Sequence, residues 1–510
     1  MSHLSNVPSL LDFLPVAPSI RAEAEALLTN FTALPEDDKS SARAALLAAI
    51  FPLVFGDNAL VEGSPTYEES RSQAWSTNCW LSPKVIVTPS NAAEVSQILA
   101  LIRFVGATFS IRSGGHLQNP GFTSNDGGVV ISLNRFTQLD LSDDKKTVKV
   151  GPGHRWLDVY KGLDVHGVTV AGGRVPHVGV PGLLLGGGLS FQNSEHALGC
   201  MNIVDYEVVL ADSSIVHANA TENKDLFWAL KGGGTNYGIV TTLTMNTLPN
   251  NIWAEARVYP ATASTQLHEA LMVYHELIET DNKATLIWHT INQTTLVIFF
   301  YCAPIEKPDV FAPFYDIPFL MNIVPPAKRT VFEMVEAVSN VLSAEQLNHD
   351  MRTTTTLPSL TVYEAAEKAR LEEMAALSDL ERADLTMVIQ PMSSLAIKVG
   401  EEKGGNPLGL KSVGHQWFLV MADYLNIADE ERVRASVKKI VDVVEETAKK
   451  ENAWLPFKYS NYSSRDQDPL ASYGEENLAA LREIAAKYDP EEVFQVLQNG
   501  GWLLSRAGKN

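Results

Sequence analysis

Hydrophobic residues recur at helical spacing in the first part of the chain. Ala and Leu positions three and four residues apart run through residues 20–30 and 39–50, which predicts two helices. Pro35 and Pro52 are predicted to end them, because proline lacks the backbone N–H that continues a helix. We therefore expect residues 1–60 to form a helical N-terminal extension.

The pattern changes to short β-branched runs after this extension. Residues 85–88 form such a run, and Asn91, with Glu94 three residues later, is placed to cap a following helix. Further short apolar runs at 109–112 and 129–133 are separated by turns rich in Gly or Asp. Short strands mixed with helices in this way predict a domain of the α+β class.

Beyond residue 250 the apolar runs lengthen and glycine becomes rarer. This change marks the predicted start of a second domain. Four further strands are predicted, at residues 285–289, 295–301, 386–390 and 417–424. Residues 429–450 place Val and Ile at helical spacing among charged residues, which predicts a long amphipathic helix.

Composition narrows the classes of function. The chain has 510 residues, and 45% of them are hydrophobic. A chain of this length usually forms more than one hydrophobic core, so two domains are expected. A formal charge of -20 disfavours nucleic acid and anionic membranes as partners and favours a small molecule.

Cys79, Cys200 and Cys302 are too scattered for a disulfide framework or a metal site, so no metal is predicted. No signal peptide is visible, and a cytoplasmic location is expected unless a leader has been removed. The sequence carries no signal of oligomeric state.

The most informative segment is Arg112-Ser113-Gly114-Gly115-His116, which follows a predicted strand. Its two glycines let the backbone approach a flat or anionic group and place the histidine on a tight turn. Further glycines cluster at 172–173, 186–188 and 232–234, a density typical of a cleft that cradles phosphate. None of these clusters is a G-x-G-x-x-G motif or a P-loop, which disfavours nicotinamide and nucleoside triphosphate ligands.

Taken together, these segments resemble the vanillyl-alcohol oxidase superfamily with its PCMH-type FAD-binding fold, and within it the berberine-bridge-enzyme-like group. The resemblance rests on the turn 112–116, on Val178-Gly179-Val180 before the triple glycine, on Asp225-Leu226-Phe227-Trp228 and on Tyr459-Ser460-Asn461-Tyr462. It implies an α+β fold with two subdomains around FAD at 61–250. It also implies a substrate domain at 251–440, with an antiparallel sheet covered by helices, and a C-terminal segment, 441–510, that completes the FAD-binding domain.

The resemblance assigns FAD to the cleft and a covalent bond from His116 to the flavin 8α-methyl group. Many relatives add a cysteinyl link to flavin C6, but Val175 stands at that position, so attachment through His116 only is expected. Val178 lies where the family controls the approach of oxygen, and its small side chain resembles the oxidase type. The full set of implied cofactor contacts is His116, Arg112, Ser113, Gly114, Gly115, Val178, Gly179, Gly186, Gly187, Gly188, Ser190, Asn193, Asn461 and Tyr459.

Tyr462 matches the family's catalytic tyrosine and is the expected base that removes a substrate hydroxyl proton during hydride transfer. A phenol acts as a base only where a neighbouring cation or hydrogen-bond donor stabilises its phenolate, and the sequence does not identify that group. Gln390, a polar residue in an apolar predicted strand, is a candidate substrate contact. His289 and His415, near the ends of other predicted strands, are further candidates.

The expected function is oxidation of a small organic molecule. An alcohol, amine or activated C–H of a secondary metabolite would give hydride to flavin N5, and dioxygen would take the electrons and leave hydrogen peroxide. Two alternatives on the same scaffold stay open: a cyclase or isomerase of natural-product biosynthesis without net oxidation, and a sugar oxidase. A flavin-retaining protein without catalysis is a further alternative from another class.

Overall fold

The N-terminal helices pack against the first sheet of the chain. The structure is a computed structural model that describes residues 6–340 and 345–509. Its first helices are α1 (Val7–Phe13), α2 (Arg21–Thr32) and α3 (Glu36–Phe55). Leu47 and Ile50 of α3 share one core with the strands that follow. In the described part of the chain, Glu36–Asn58 is the one stretch whose length and composition would allow a membrane crossing, a test that buried core helices also pass.

Pro52 does not end the second predicted helix. It lies inside α3, which continues to Phe55. A proline this close to the end of a helix removes one backbone hydrogen bond, while the neighbouring Phe51 and Val54 are both buried and hold the last turn against the core.

A four-stranded sheet follows. Its strands are β1 (Ala59–Val61), β2 (Val85–Val87), β3 (Phe109–Arg112) and β4 (Val129–Ser132), in the order β1-β2-β4-β3. Its helices are α4 (Tyr67–Arg71) and α5 (Ala92–Val105). As predicted, Asn91 caps α5 by accepting the N–H of Glu94. Strands β3 and β4 are parallel, so the loop after Arg112 leaves the sheet at its carboxyl edge.

A five-stranded antiparallel sheet forms the second layer. The strands of this region are β5 (Leu139–Leu141), β6 (Thr147–Val150), β7 (Val168–Thr169), β8 (Ile203–Leu210), β9 (Ile215–Asn219), β10 (Gly238–Asn246) and β11 (Leu248–Pro249). The sheet order is β5-β6-β10-β8-β9, and β7 pairs with β11 separately. The helices are α6 (Trp156–Asp164), α7 (Val180–Leu185), α8 (Asn193–His196) and α9 (Lys224–Ala229).

An eight-stranded antiparallel sheet forms the third layer. Its strands are β12 (Asn251–Pro260), β13 (Ala284–Ile291), β14 (Thr294–Tyr301), β15 (Met321–Thr330), β16 (Asn348–Thr356), β17 (Ala383–Met392), β18 (His415–Tyr424) and β19 (Trp454–Leu455), in the order β15-β12-β14-β13-β17-β18-β16-β19. The helices of this region are α10 (Ser264–Leu277), α11 (Ala312–Tyr315), α12 (Val331–Ser339), α13 (Leu360–Ala376), α14 (Ser394–Glu402) and α15 (Glu430–Lys450).

The predicted boundary at residue 440 falls inside a continuous helix. Helix α15 runs from Glu430 to Lys450, and its buried Val433, Val437 and Val441 pack in one cluster with the third sheet. Strand β19 then pairs with β16 at the edge of that sheet. The third layer therefore extends to at least Leu455, because one amphipathic face holds the whole helix against the sheet.

The last part of the chain returns to the first sheet. It contains α16 (Glu475–Tyr488) and α17 (Val493–Val496). The N–H of Phe109 in β3 donates to the carbonyl of Leu497, and the N–H of Asn499 donates back to the carbonyl of Phe109. Phe494 is fully buried in the core of that sheet. Residues from both ends of the chain thus build the layer that carries the Gly-Gly-His turn.

Candidate active site

Two glycine-containing segments pack backbone against backbone beside the Gly-Gly-His turn. A Cβ atom on Gly114 would lie 2.4 Å from the backbone nitrogen of Gly179, and a Cβ on Gly179 would lie 2.4 Å from that of Gly114. Real Cβ atoms do not come so close to backbone, so both positions require glycine. The hydroxyl of Ser113 donates to the carbonyl of Pro152 at 2.6 Å and fixes the start of the turn.

His116 lies at the end of this turn as a neutral imidazole. Burial, with a smaller contribution from the Arg155 cation, lowers the pKa of His116 to about 3. Its ring stacks on Trp75, with 4.3 Å between ring centroids and 12° between planes. A ring that stays unprotonated at physiological pH keeps a nitrogen lone pair available as a nucleophile.

A second polar cluster joins three distant parts of the chain. The Arg174 guanidinium donates to the Tyr462 hydroxyl at 2.9 Å and to the Gln390 amide oxygen. The Tyr462 hydroxyl also donates to that amide oxygen, at 3.3 Å. Within the described residues, Arg174 makes no ion pair with a carboxylate. Arg174 is therefore the cation beside Tyr462 that the sequence did not identify.

Aromatic stacking and two amides hold Tyr462 in place. Tyr459 meets the Tyr462 ring edge-on at 4.8 Å and stacks on Trp417 of β18 at 4.5 Å. The side-chain amides of Gln118 and Asn119 both donate to the carbonyl of Ser463, at 3.0 Å each. These two hydrogen bonds connect the segment after His116 to the residue after Tyr462. The Gly-Gly-His turn and the polar cluster around Tyr462 therefore belong to one site.

The third sheet presents a largely apolar surface to the site. Val388 and Gln390 lie on the same side of β17, opposite Leu419 and Trp417 of β18. His289 pairs with Val388 across the strands, and burial together with the Arg174 cation lowers the pKa of His289 to about 4. The Nε2 of the buried Gln390 has no hydrogen-bond partner within the described ranges. The neutral His289 imidazole and the unused Gln390 amide donor are thus among the polar groups on this surface, together with the indole Nε1 of Trp417, which also has no partner in the described residues.

His415 does not join this cluster through a polar contact. It is 1% exposed, and its Nδ1 donates to the carbonyl of Val413 at 2.8 Å. Burial lowers the pKa of His415. Of the two histidines that the sequence proposed for the substrate pocket, the structure brings His289 to the polar cluster.

Comparisons with known proteins identify the fold that carries this site. The model of the FAD binding domain family matches residues 83–219. An FAD-dependent monooxygenase of Arthrobotrys oligospora is 35% identical over 502 residues, which are 98% of this chain and 98% of that protein. The bifunctional solanapyrone synthase of Alternaria solani is 34% identical over 83% of this chain and 82% of its own length. The chain belongs to the PCMH-type FAD-binding superfamily.

A solved structure agrees with this assignment. The 6-hydroxy-D-nicotine oxidase of Arthrobacter nicotinovorans superimposes with a TM-score of 0.75 over 87% of this chain and 97% of its own, at 18% identity. At that identity the likeness concerns the fold. The family, the α+β PCMH-type fold and the assignment as an FAD-dependent oxidoreductase, all predicted from the sequence, are confirmed.

Arg112 gives the clearest fit of this flavoprotein's cleft to FAD. Its side chain is 1% exposed, and one guanidinium nitrogen donates to the Ser70 hydroxyl at 3.2 Å. The other two nitrogens, Nε and Nη1, have no partner in the described part of the chain. Burial and the nearby Arg155 lower the pKa of Arg112 to about 10, so it stays charged. A buried cation with two unused donors matches the charge and the acceptors of a pyrophosphate.

The triple glycine has a different part in the structure from the predicted phosphate cradle. The N–H groups of Gly188 and Leu189 donate to the Tyr459 hydroxyl at 3.1 and 3.0 Å, and those of Gly186 and Gly187 donate to carbonyls of α7. A Cβ at Gly186 would lie 2.2 Å from the Asn461 side-chain oxygen. These glycines allow close packing of the segment that carries Tyr462.

Ser190 and Asn193, predicted to contact pyrophosphate, have their polar groups bonded to other parts of the protein. Both are 1% exposed. The Ser190 hydroxyl accepts the N–H of Gln192 at 3.1 Å. The Asn193 amide donates to the sulfur of Met392 at 3.1 Å and accepts from the Thr285 hydroxyl at 3.4 Å. The Asn193 amide is occupied because it packs against the third sheet, whereas the Ser190 hydroxyl is occupied by the backbone of its own segment.

Asn461 and the two valines complete the set of predicted residues. The Asn461 amide donates to the Leu183 carbonyl and to the Tyr459 hydroxyl, both at 3.0 Å, so it braces the triple glycine. Val178 is half-buried and packs at the border of the largest core cluster. Val175, three residues earlier, is 36% exposed. Sequence reasoning missed Arg174 and Trp75, which carry no motif of their own.

Proposed function

We propose that the protein is an FAD-dependent oxidase of a small, largely apolar organic molecule, with FAD attached through His116 only. The observation that carries this proposal is the direct contact between Arg174 and Tyr462 on a surface tied to the His116 turn. FAD, when bound, supplies a hydride acceptor that dioxygen can reoxidise.

Tyr462 has the geometry of a base for a substrate hydroxyl. Expelling hydride is easier from carbon that bears a forming alkoxide, so removal of the hydroxyl proton drives the reaction. The Arg174 guanidinium, 2.9 Å from the phenol oxygen, stabilises the phenolate that accepts this proton. A hydrogen bond to a charged group contributes about 1.5 to 3 kcal/mol. Gln390 holds both partners through its amide oxygen and leaves its NH₂ group for a substrate oxygen.

The surroundings favour an apolar substrate with a single oxygen or nitrogen function. Val388 and Leu419 face the cluster together with the half-buried Leu296 and Met421. His289, held neutral by burial and by Arg174, adds no charge. A pocket of this kind binds mostly through apolar area and uses a few polar groups for orientation. This supports a secondary metabolite over a sugar, because most of the hydroxyl groups of a sugar would face apolar side chains such as Val388 and Leu419.

Attachment of FAD through one residue is supported by the chemistry of two positions, His116 and Val175. His116 has a neutral ring suited to nucleophilic attack, and Val175 offers no thiol. The experiment is to acid-precipitate the protein and digest it, with His116→Ala as the matched variant. Flavin that stays with the peptide containing His116, and no flavin on the variant, is the expected result. Colour that leaves the wild-type polypeptide on unfolding would overturn covalent attachment.

Oxidase chemistry is tested by comparing the amount of dioxygen consumed with the amount of hydrogen peroxide formed. Candidate metabolites are screened for peroxide release, and each hit is measured for dioxygen consumed and peroxide formed. One peroxide for each substrate molecule oxidised is expected. Product that forms without oxygen uptake would overturn oxidation and would favour the cyclase or isomerase alternative.

A second candidate, monooxygenation, is favoured by the names of relatives. The proteins of Arthrobotrys oligospora and Penicillium terrestre, 35% and 33% identical to this chain, are both called FAD-dependent monooxygenases. Isotopically labelled dioxygen separates the two reactions. Label in the organic product identifies a monooxygenase, whereas label in peroxide alone identifies an oxidase.

A further inference from the structure

Trp75 links the His116 ring to a second histidine. The Trp75 indole stacks on His116 at 4.3 Å and 12°, and on His349 at 3.6 Å and 7°. The three rings are nearly parallel, and the indole lies between the two imidazoles. Tilting the His116 ring out of this plane would lose ring overlap, so the stack sets the direction in which its nitrogen lone pair points.

The far end of the stack is fixed in the third sheet. His349 is 5% exposed, and its Nδ1 lies 2.6 Å from the Asp423 carboxylate. The two residues stand directly opposite each other on β16 and β18. The backbone N–H of His349 donates to the Ser76 hydroxyl at 2.8 Å. The ring of His349 is therefore held by the Asp423 carboxylate, and its backbone is held by Ser76, the residue next to Trp75.

The segment that carries Trp75 also bridges two layers of the fold. The backbone N–H of Trp75 donates to the carbonyl of Gly115 at 2.9 Å, in the turn that bears His116. The Thr77 N–H donates to the carbonyl of Leu347 at 3.0 Å, and its hydroxyl donates to Asn348 at 2.7 Å, at the start of β16. Residues 75–77 thus connect the Gly-Gly-His turn to the strand that holds His349.

We propose that Trp75, held by His349 and Asp423, is a positioning residue that orients His116 for covalent attachment of the flavin. This inference rests on the proposed function, in which His116 is the point of attachment. Burial of His116 supplies the neutral nitrogen, and the stack supplies its direction. The third sheet must be docked for the stack to form, so attachment follows assembly of the two domains.

The attachment reaction balances with dioxygen as the oxidant. A bond forms between a His116 ring nitrogen and the 8α carbon of the flavin. One hydrogen leaves the 8α-methyl group and one leaves the imidazole. The two electrons released pass through the flavin to dioxygen, which leaves with two protons as hydrogen peroxide. None of these steps uses Trp75 as a reactant, which is why its effect is expected on the rate of attachment and not on its chemistry.

The test measures attachment separately from turnover. Full-length apoprotein, produced under riboflavin limitation, is mixed with FAD in air, and the flavin retained after acid precipitation is followed with time. A small misalignment of reacting atoms can cost about 100-fold in rate. We expect Trp75→Leu to attach flavin about 10 to 100 times more slowly than wild type. Trp75→Phe, which keeps a ring, should be close to wild type, and Asp423→Asn should be intermediate.

His268→Gln is the matched control. It removes an imidazole that stacks on a tryptophan elsewhere in the same sheet, Trp288, at 5.3 Å and 20°. It should attach flavin at the wild-type rate. Noncovalent FAD affinity and near-ultraviolet circular dichroism are measured for each variant, since a misfolded protein would lose both.

Three outcomes decide between the two proposals. A wild-type protein that never retains flavin overturns attachment through His116, and this inference with it. A wild-type protein that retains flavin, with Trp75→Leu folded and equally fast, overturns the positioning role alone. If Trp75→Leu does not fold, Asp423→Asn decides: slower attachment with unchanged FAD affinity supports the role, and an unchanged rate overturns it.

Discussion

Replacing Arg174 by methionine tests the centre of the proposed reaction. Methionine keeps the length and apolar stem of the side chain and removes the guanidinium that contacts Tyr462 at 2.9 Å. Arg174 is half-buried and forms no ion pair with a carboxylate in the described part of the chain. Loss of its charge therefore leaves no anionic partner behind, and we expect Arg174→Met to fold with at least wild-type stability.

The magnitude follows from the hydrogen bond to the phenolate. Such a bond contributes about 1.5 to 3 kcal/mol when one partner is charged. A loss of that size slows the step by about 10- to 150-fold. Arg174→Lys keeps the charge but not the planar fork that reaches Tyr462 and Gln390 together. Its rate should lie between those of wild type and Arg174→Met.

The assay is anaerobic reduction of the flavin by a substrate taken from the peroxide screen. The rate of bleaching is measured for Arg174→Met, for Tyr462→Phe and for the double variant. Loss of a general base alone should slow bleaching by about 10² to 10⁴. If Arg174 acts through Tyr462, the double variant should be no slower than Tyr462→Phe. Arg432→Met, which breaks an exposed ion pair with Asp379, is the matched control and should leave the rate unchanged.

The double variant also provides the refutation. If its loss equals the product of the two single losses, Arg174 and Tyr462 act independently, and Arg174 contacts the substrate instead of the base. If Arg174→Met bleaches at the wild-type rate, the guanidinium does not stabilise a charge in the rate-limiting step, and the role given to the pair is wrong.

Three further predictions concern attachment, cleft packing and acid stability. Because the pKa of His116 is lowered to about 3, its ring stays neutral and the attachment rate should be flat between about pH 5 and 8; a histidine with its ordinary pKa would lose about 30-fold over that range. Gly179→Ala, whose Cβ would meet the Gly114 backbone, should abolish tight FAD binding measured by titration, whereas Gly182→Ala meets nothing within 4 Å and should bind normally. Burial lowers the pKa of His275 to about 3, so the unfolded state binds more protons below about pH 6.5. His275 alone should lower the unfolding free energy by about 2 kcal/mol between pH 8 and pH 5, in addition to the losses from the other buried histidines. Urea unfolding at pH 8 and pH 5 should therefore show a smaller loss for His275→Gln than for wild type.

Features encoded by local chemistry could be predicted from the sequence. The cap of α5 at Asn91 depends on residues within one turn, and the Gly-Gly-His turn depends on two adjacent glycines. Two of the strands that were missed, β15 and β16, lack the expected apolar pattern. Strand β15 contains Pro325 and Pro326, which only an edge strand tolerates. Strand β16 ends in four threonines, which the three-dimensional sheet buries although the sequence reads as polar.

The contents of the site depended on contacts that sequence spacing does not encode. Arg174 and Tyr462 are separated by 288 positions, and no local pattern indicates that they meet. The triple glycine shows the opposite error. Its composition predicts free N–H groups, but the Tyr459 hydroxyl, 271 positions from Gly188, accepts the N–H of Gly188 and that of the next residue, Leu189. A residue type indicates what a segment can do, and only the partners brought by the fold decide what it does.

The origin of each group explains why the site is assembled from so many segments. His116 follows the first sheet, Arg174 lies beside the second, Gln390 belongs to the third, and Tyr462 comes from the C-terminal segment. The imidazole proposed for attachment and the phenol proposed as the base therefore come from different parts of the fold. The proposed role of Tyr462 as a base depends on the Arg174 cation beside it, and a cation would be costly inside one hydrophobic core. Where the layers meet, the guanidinium is half-buried, so part of it stays open to solvent.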